Sequence, residues 1–480
     1  VTLAREVRRL AVPAILHSLL QTLVFVVDRI MLGMHGETSL AAMQLGGALE
    51  WSLWSVFAAF EVGTIARVGR HVGARDPAMA RRAAWLSQAM AISIGGVVAV
   101  ATPIVLAILP RAMPNASSAT IVEAQRYLGV TIAASPVVFV AMTSIATLQA
   151  GGDTRTPLAI GIVANIVHIA LNRLLILGAG DAVPALGARG AGISTTVTFA
   201  LEAILATAAL TSTSRPVSLR KREGEPEPAT SAREEARTLA RVAIPAFLER
   251  ALYHVGFVGY VVIIARLGDA SMAANQALIS VESICFLSGD GFGIAAAALV
   301  AQKLGAREPQ DARRAARIAA RDAVLALTAF GFLAFALRDV LLPVFSRDTE
   351  VLAIGRSAVP VLVVAQPFMA IGLVLAQSLR GAGRTREVLG VSVVGAFLVR
   401  LTMTWFFAIT LRLGLVGVWM GSTADWIVRS ALLAFASRKI SDTGSSVSRA
   451  RAVRFSRRRA VVRRARGSDR ASCSRRSPRS

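Results

Sequence analysis

Along most of the chain the polar positions do not mark one face of a helix. They gather instead into short clusters that separate long apolar runs. An α-helix rising about 1.5 Å per residue needs roughly 20 apolar residues to cross about 30 Å of hydrocarbon. Twelve segments meet that length, at about 11–33, 45–66, 86–109, 127–149, 157–178, 190–212, 242–265, 277–301, 323–345, 357–379, 388–411 and 413–436. The first run, from Leu10 to Gly33, is too long for a signal-peptide core and is followed by no convincing cleavage site, so it is expected to stay as the first span.

The polar clusters alternate in charge. Arg5, Arg8 and Arg9, the loop from Arg67 to Arg82, the central segment from Arg215 to Arg237, the loop from Lys303 to Arg317, and Arg380 to Arg386 are all basic. The intervening loops are poor in charge: residues 34–44 hold no Lys or Arg and residues 266–276 only Arg266. Because basic loops stay on the cytoplasmic side, this predicts an even number of spans in the inner or plasma membrane, with both termini cytoplasmic.

Composition agrees. The 480 residues are 54% hydrophobic and only 17% charged, and the mean hydropathy is +0.59, which excludes an ordinary soluble globule. A net charge of +24 would mark a nucleic-acid binder in a soluble chain. Here the last 44 residues hold fifteen Lys or Arg against Asp442 and Asp469, so +13 of the +24 lies in that tail and only +11 in the other 436 residues. The Arg- and Ser-rich tail, 437–480, has a disordered composition suited to acidic lipid headgroups, and no nucleic-acid partner is expected. Cys285 and Cys473 make neither a disulfide framework nor a zinc motif, so no structural metal or cofactor is expected. GGDTRT at 151–156 lacks the lysine of a phosphate loop, and neither HExxH nor GxSxG occurs. A membrane enzyme is the weaker alternative, because the polar residues are scattered singly through the spans.

Residues 214–237, rich in Pro, Glu and Arg, divide the chain. Shifting the sequence by 232 residues superposes Pro13 on Pro245, Gly36 on Gly268, Glu50 on Glu282, GAR at 73–75 on 305–307 and RRAA at 81–84 on 313–316. The offset falls to 231 at Pro136 and Pro367, and to 227 at Leu186-Gly187 and Leu413-Gly414. Such self-similarity is an internal repeat, and six spans per half give corresponding spans the same orientation. The expectation is an all-α membrane protein with twelve transmembrane helices in two pseudo-symmetric six-helix bundles. Its parts are an N-terminal lobe (1–213), a cytoplasmic linker (214–237), a C-terminal lobe (238–436) and the tail.

The run PAILHSLLQTLVFVVDRIMLGMHG from Pro13, LQAGGDTRTP at 148–157, SLRGAGRTR at 378–386 and LGARGAGIST at 186–195 resemble the multidrug and toxic compound extrusion (MATE) family across residues 5–436. The resemblance implies two six-helix lobes and export of cationic or amphiphilic compounds, by alternating access, in antiport with H+ or Na+. It also implies a coupling role for Asp28, which matches the family's first-span acid, and for Thr195 on span six. On span five, where one branch has an Asn and an Asp, this chain has His168 and Asn172. The NorM-like branch's seventh-span Glu is replaced by Tyr253, with Glu249 one turn earlier, and its tenth-span Asp by Met369.

Ionisable groups inside a membrane are functional candidates by default. Asp28 leads, and the alternative for it is an interfacial ion pair with Arg29. His168 and Asn172, four apart, share a helix face and would complete a hydrogen-bonded site with Asp28 or serve as packing contacts. His17 and Glu249 hold equivalent repeat positions and are read either as a proton relay or, for Glu249, as a pair with Arg250. Asp290, in the Gly-flanked GDGFG of span eight, has only Ala58 as its repeat equivalent and suits contact with a cation. Arg400 and Asp425 read as a structural salt bridge. Trp51, Trp54, Phe57, Phe60, Phe286 and Phe292 would stack on a cationic substrate or pack in the bundle. The partners expected are small organic cations and membrane lipid, with the protein a monomer. A lipid-linked saccharide flippase is the competing transporter, but its diphosphate substrate calls for a basic cavity.

Overall fold

A computed structural model describes residues 2–113 and 116–442, so the tail from 443 lies outside the described residues. Among the described residues the regular structure is helical, apart from isolated bridges at Ala179. The first half contains α1 (Leu3–His35), α2 (Glu37–Gly73), α3 (Pro77–Val100), the short α4 (Thr102–Ala112), α5 (Ser118–Ala133), α6 (Ser135–Ala150), α7 (Arg155–Ile176) and α8 (Gly187–Leu210). The second half contains α9 (Ala232–Ala265), α10 (Asp269–Gly305), α11 (Pro309–Ala336), the one-turn α12 (Arg338–Leu341), α13 (Thr349–Gly381), α14 (Thr385–Ser392), α15 (Arg400–Trp405) and α16 (Gly414–Ser437).

Nine segments are long and apolar enough to span a membrane, and α5 with α6, bent by 54°, makes a tenth. Pro136 at the start of α6 accounts for the bend. Two further helices, α2 and α16, have the length but carry Glu50 and Glu61, and Asp425 and Arg429, in their interiors. Together these are the twelve expected segments among the described residues, six before the central stretch and six after it. Outward-facing apolar side chains such as Val100, Ile104, Val258 and Phe332 are more than half exposed, as contact with lipid tails requires. The chain is a multi-pass membrane protein.

The repeat is visible in local geometry. Gly36 and Gly268 precede helices of equal length, 37 residues each. Those helices end in Gly-Ala-Arg, with Arg75 and Arg307 both in the left-handed region at φ 54° and 64°. Gly187 and Gly414, at φ 54° and 55°, open two further helices of equal length, 24 residues each. The second half departs between α14 and α16. There Val393–Val399 and Phe406–Thr410 wind as π-helix on either side of α15.

The halves meet along α1 and α2 of the first and α9 and α10 of the second. At the end that carries the N-terminus and the central stretch, a Cβ on Gly73 would lie 1.8 Å from the Gln302 carbonyl oxygen, and one on Gly305 would lie 2.0 Å from that of Arg70. Gln302 also donates to the Ala150 carbonyl at 2.7 Å. The Arg67 guanidinium reaches the Glu235 carboxylate at 2.6 Å, and His71 Nε2 lies 3.1 Å from it.

The stretch expected as a linker is docked rather than free, and α9 begins inside it at Ala232. Val217 and Leu219 are buried among α3, α6 and α8, and Trp85 Nε1 donates to the Leu219 carbonyl at 2.9 Å. Arg215 pairs with Asp153 and Arg81 with Glu225, the latter at 2.8 Å. Burial alone would raise the Glu225 carboxyl, but the Arg222 backbone N–H and the Arg81 guanidinium outweigh it and hold it below the usual carboxylate range.

Two outcomes follow from this packing. A side chain on Gly305 meets backbone, so Gly305→Val should destabilise the closed seam by about 1–3 kcal/mol, the usual cost of overpacking; a thermal unfolding midpoint equal to wild type would contradict the contact. A depressed folded-state carboxyl contributes stability that is present above the ordinary carboxylate range and lost as pH falls through it. Limited proteolysis within 214–231 should therefore accelerate on acidification below about pH 4, and Glu225→Gln should be cut faster already at neutral pH.

Candidate functional site

Four of the residues singled out in the sequence come together inside the first half. Asp28 is on α1, His168 and Asn172 are one turn apart on α7, and Thr195 is on α8; all are buried. His168 Nε2 lies 2.7 Å from Asp28 Oδ1, and Asn172 Nδ2 donates to the same oxygen at 2.5 Å. The bond that orients the histidine was not read from the sequence. Its Nδ1 lies 3.1 Å from Thr198 Oγ1, one turn beyond Thr195. Thr198 in turn donates its hydroxyl proton to the Ser194 carbonyl at 2.7 Å. Its oxygen is therefore left to accept, and the Nδ1 proton of His168 supplies the bond. Nε2 then faces both Asp28 Oδ1 and the Asn172 side-chain nitrogen, the latter 2.9 Å away, so the three side chains form one hydrogen-bonded cluster.

Asp28 also lines a small cavity of about 20 Å³ with Gln21, Trp54, Tyr127, Asn165, Thr195 and Glu202 among its walls. That is room for about one water. Two residues on its walls have buried oxygens without a hydrogen-bond partner, Thr195 Oγ1 and Asn165 Oδ1. Beside it, Tyr127 donates to the carboxylate of Glu50.

A larger cavity of about 240 Å³ lies between the halves. Gln21, Trp54, Phe199 and Glu202 belong to the walls of both cavities. Glu61, Glu202 and Asp290 give the larger one three carboxylates, set against Arg250 and His17. Asp290 accepts from Gln377 Nε2 at 2.8 Å, which fixes one oxygen. Trp51, Trp54 and Phe286 are on the walls, whereas Phe57 stacks on Phe139 at 3.5 Å and Phe292 is buried in the core. The expected division of the aromatics between cavity and packing thus falls within single helices.

Other candidates lie elsewhere. His17 faces the central cavity with Nε2 unpartnered, but Glu249 does not join it. The Glu249 carboxylate is held by Arg380 at 2.5 Å and by Ser392 at 2.9 Å, all within the second half. The structure therefore forms neither the His17–Glu249 relay nor the Glu249–Arg250 pair. Arg250 points to the cavity, with Ser55 Oγ 3.5 Å away. Tyr253 is half-buried beside His254, their ring centroids 5.9 Å apart, and Met369 is core. Glu202 and Thr198 were missed. A lone Glu in the apolar run FALEAILA is itself a signal; a threonine among four neighbouring Ser and Thr is not.

Among the described residues no group of three or more His, Cys, Asp or Glu is arranged to hold a metal.

Comparison with known proteins gives these features a lineage. The MatE family model matches twice, over residues 13–174 and 245–406, which is the offset of 232 found in the repeat. A probable multidrug resistance protein NorM from Thermotoga maritima is 26% identical over 428 residues, covering 89% of this chain and 90% of the relative. A protein of the same description from Bradyrhizobium diazoefficiens is 30% identical over 447 residues, covering 89% and 91%. A solved structure described as the outward-facing conformation of a multidrug resistance MATE family transporter superposes with a TM-score of 0.84 at 19% identity, covering 93% of this chain and 97% of that one. The chain belongs to the MATE family of membrane transporters.

Proposed function

We propose that the protein is a secondary active multidrug exporter that expels cationic or amphiphilic compounds by alternating access, in exchange for protons. The observation that carries this reading is the 2.7 Å contact between Asp28 and His168, buried beside an acidic cavity between the two halves. The relatives' description as multidrug resistance proteins supports the same direction. The function is transport without a chemical step and requires no cofactor.

The geometry favours a proton over Na+. Asp28 Oδ1 already receives a nitrogen donor from Asn172 and faces the imidazole, so two nitrogens occupy the approach to that oxygen that a metal ion would need. With the proton present, the Asp28–His168 pair is neutral and stable in a low-dielectric site. When the proton leaves, Asp28 keeps its charge, and His168 can face it with an N–H only by moving its remaining proton to Nε2. Thr198 must then turn its hydroxyl from Ser194 to Nδ1. Deprotonation is thereby tied to a rearrangement between α1, α7 and α8.

A substrate cation would be held by Asp290, Glu61 and Glu202 with the flanking tryptophans supplying cation–π contact. Glu202, on the wall of both cavities, places substrate charge and the exchanged proton in electrostatic contact. Three carboxylates against one arginine argue against a diphosphate-bearing lipid. One chain contains both halves and the cavity, which suits a monomeric transporter. The basic clusters at the end that carries the N-terminus and residues 214–231 suit a plasma or inner membrane with that end cytoplasmic.

Reconstituted liposomes loaded with a fluorescent organic cation provide the test. A proton gradient should drive wild-type flux, whereas a Na+ gradient at equal pH should not. Asp28→Asn should lower proton-driven flux by about tenfold or more, within the ordinary range of coupling energies. His168→Gln, which keeps hydrogen bonds but cannot take the proton, should flatten the pH dependence. Unchanged flux in Asp28→Asn would remove this site from the mechanism, and flux driven equally by Na+ would reject the proton.

A further inference from the structure

The internal repeat gives Asp28, His168, Thr198 and Glu202 counterparts in the second half, and those counterparts also lie together. Asp28 corresponds to Tyr260 at the offset of 232. The equal 24-residue helices α8 and α16, which open on Gly187 and Gly414, place Thr198 on Asp425 and Glu202 on Arg429 at the offset of 227. For α7 the offset is 231 at its start, Thr154-Arg155 against Thr385-Arg386. The π-helical segment Val393–Val399 then takes in one extra residue, so the offset becomes 232 and His168 corresponds to Arg400. The two MatE matches end at 174 and 406, again 232 apart.

Arg400 meets Asp425 and Tyr260 as His168 meets Thr198 and Asp28, with the chemistry changed, and Arg429 joins them from the place of Glu202. Arg400 Nη2 lies 2.9 Å from Asp425 Oδ2. Arg429 binds the same carboxylate through two bonds of 2.7 Å. Asp425 is fully buried, and both arginines are buried. The Arg429 guanidinium sits 3.8 Å from the Trp426 ring centroid, and Arg400 is 5.8 Å from that of Tyr260. From α9 and α10, Tyr253 and Glu282 are the other titratable groups in electrostatic reach of Arg400. The close fit is built into the backbone: a Cβ on Gly395 would fall 2.2 Å from Arg429 Cγ and 2.7 Å from Asp425 Oδ1.

The first half thus joins an acid to a base that can give up its proton, while the second joins an acid to two groups that cannot. A guanidinium stays protonated at every pH a cell presents. We propose that Arg400 and Arg429 are tethered cations, filling in the second half the place that the coupling proton takes in the first, so that exchange is coupled through the first half alone. This rests on the assignment of Asp28 and His168 as the proton site. The arginines are on this account specificity-determining residues: they fix how many ions are exchanged per substrate and exclude free cations from one lobe.

The experiment measures the coupling ratio in liposomes holding the full-length protein, as the pH gradient that just halts flux of a fluorescent organic cation against a fixed gradient of that cation. Arg400→His, which installs the base found at the equivalent position in the first half, should raise the ratio by one over wild type. Arg400→Lys, which keeps a fixed positive charge, should leave it unchanged. Asp28→Asn should abolish coupling. A transport-active Arg400→His with the wild-type ratio would overturn the proposal. Should that variant fail to fold, Asp28→Asn and Asp425→Asn decide. A ratio that drops by one but survives in Asp28→Asn, or drops by one in Asp425→Asn, would show a second exchanging site and sink the tethered-cation account while leaving Asp28 in place. An undiminished ratio in Asp28→Asn would instead sink the assignment of the first site.

Discussion

A carboxylate withdrawn from water inside a helix bundle is costly unless a partner neutralises it or it takes up a proton. Asp28 satisfies this through the short contact with His168, and much of the first half is arranged to make that contact. It joins α1 to α7, while the Nδ1 bond to Thr198 extends the link to α8. The same helix α1 also packs against the other half, where a Cβ on Gly291 would lie 2.6 Å from Ile15 Cα. On the proposed reading, the exchanged proton would bind on a helix that packs against both halves. A change in its occupancy can bias how the halves meet without any signal having to cross the core.

The two halves share their framework and differ at their centres. Equal helix lengths, matching glycine turns and paired left-handed arginines keep the ends alike. The interiors are free to diverge because each buried charge needs only local compensation. In the first half the buried acid meets an imidazole and an amide, and in the second a bidentate guanidinium, which fixes geometry more firmly and cannot be given up. The π-helical turns around Arg400 belong to this difference. They insert the residue that sets Arg400 opposite Asp425, whereas α7 has regular geometry and sets His168 opposite Asp28.

The sequence made the architecture legible because length and hydropathy report on the bilayer directly, and a repeat at constant offset reports on symmetry. Asp28, His168 and Asn172 were singled out mainly by the family resemblance; a lone acid in an apolar run and two polar residues four apart left site and packing readings open. Thr198 was hidden because hydroxyl bonds depend on which of several neighbouring hydroxyls faces the histidine, and spacing cannot choose between Thr195 and Thr198. Glu249 was misplaced because its repeat equivalence to His17 says where the backbone lies but not which guanidinium is nearer; Arg380, on a distant helix, lies closer than its neighbour Arg250. The central stretch was read as a linker from its Pro, Glu and Arg content, and spacing gave no sign that Val217 and Leu219, with the Arg81–Glu225 and Arg215–Asp153 pairs, hold it against the first half.

Charge along this chain is sorted by its capacity to change. Most arginines with fixed charge occupy the basic loops, the closed seam at Arg67 and the core of the second half, while Arg250 faces the central cavity. The carboxylates exposed to the central cavity, Glu61, Glu202 and Asp290, together with the Asp28–His168 pair, sit where protons and organic cations would compete. A transporter that must release what it binds cannot hold its ligand as tightly as Asp425 holds its two arginines, since an ion pair that never dissociates carries nothing. Separating the exchangeable charges from the permanent ones lets one half hold its shape while the other changes state. On the proposed reading, the asymmetry between the two halves serves exchange.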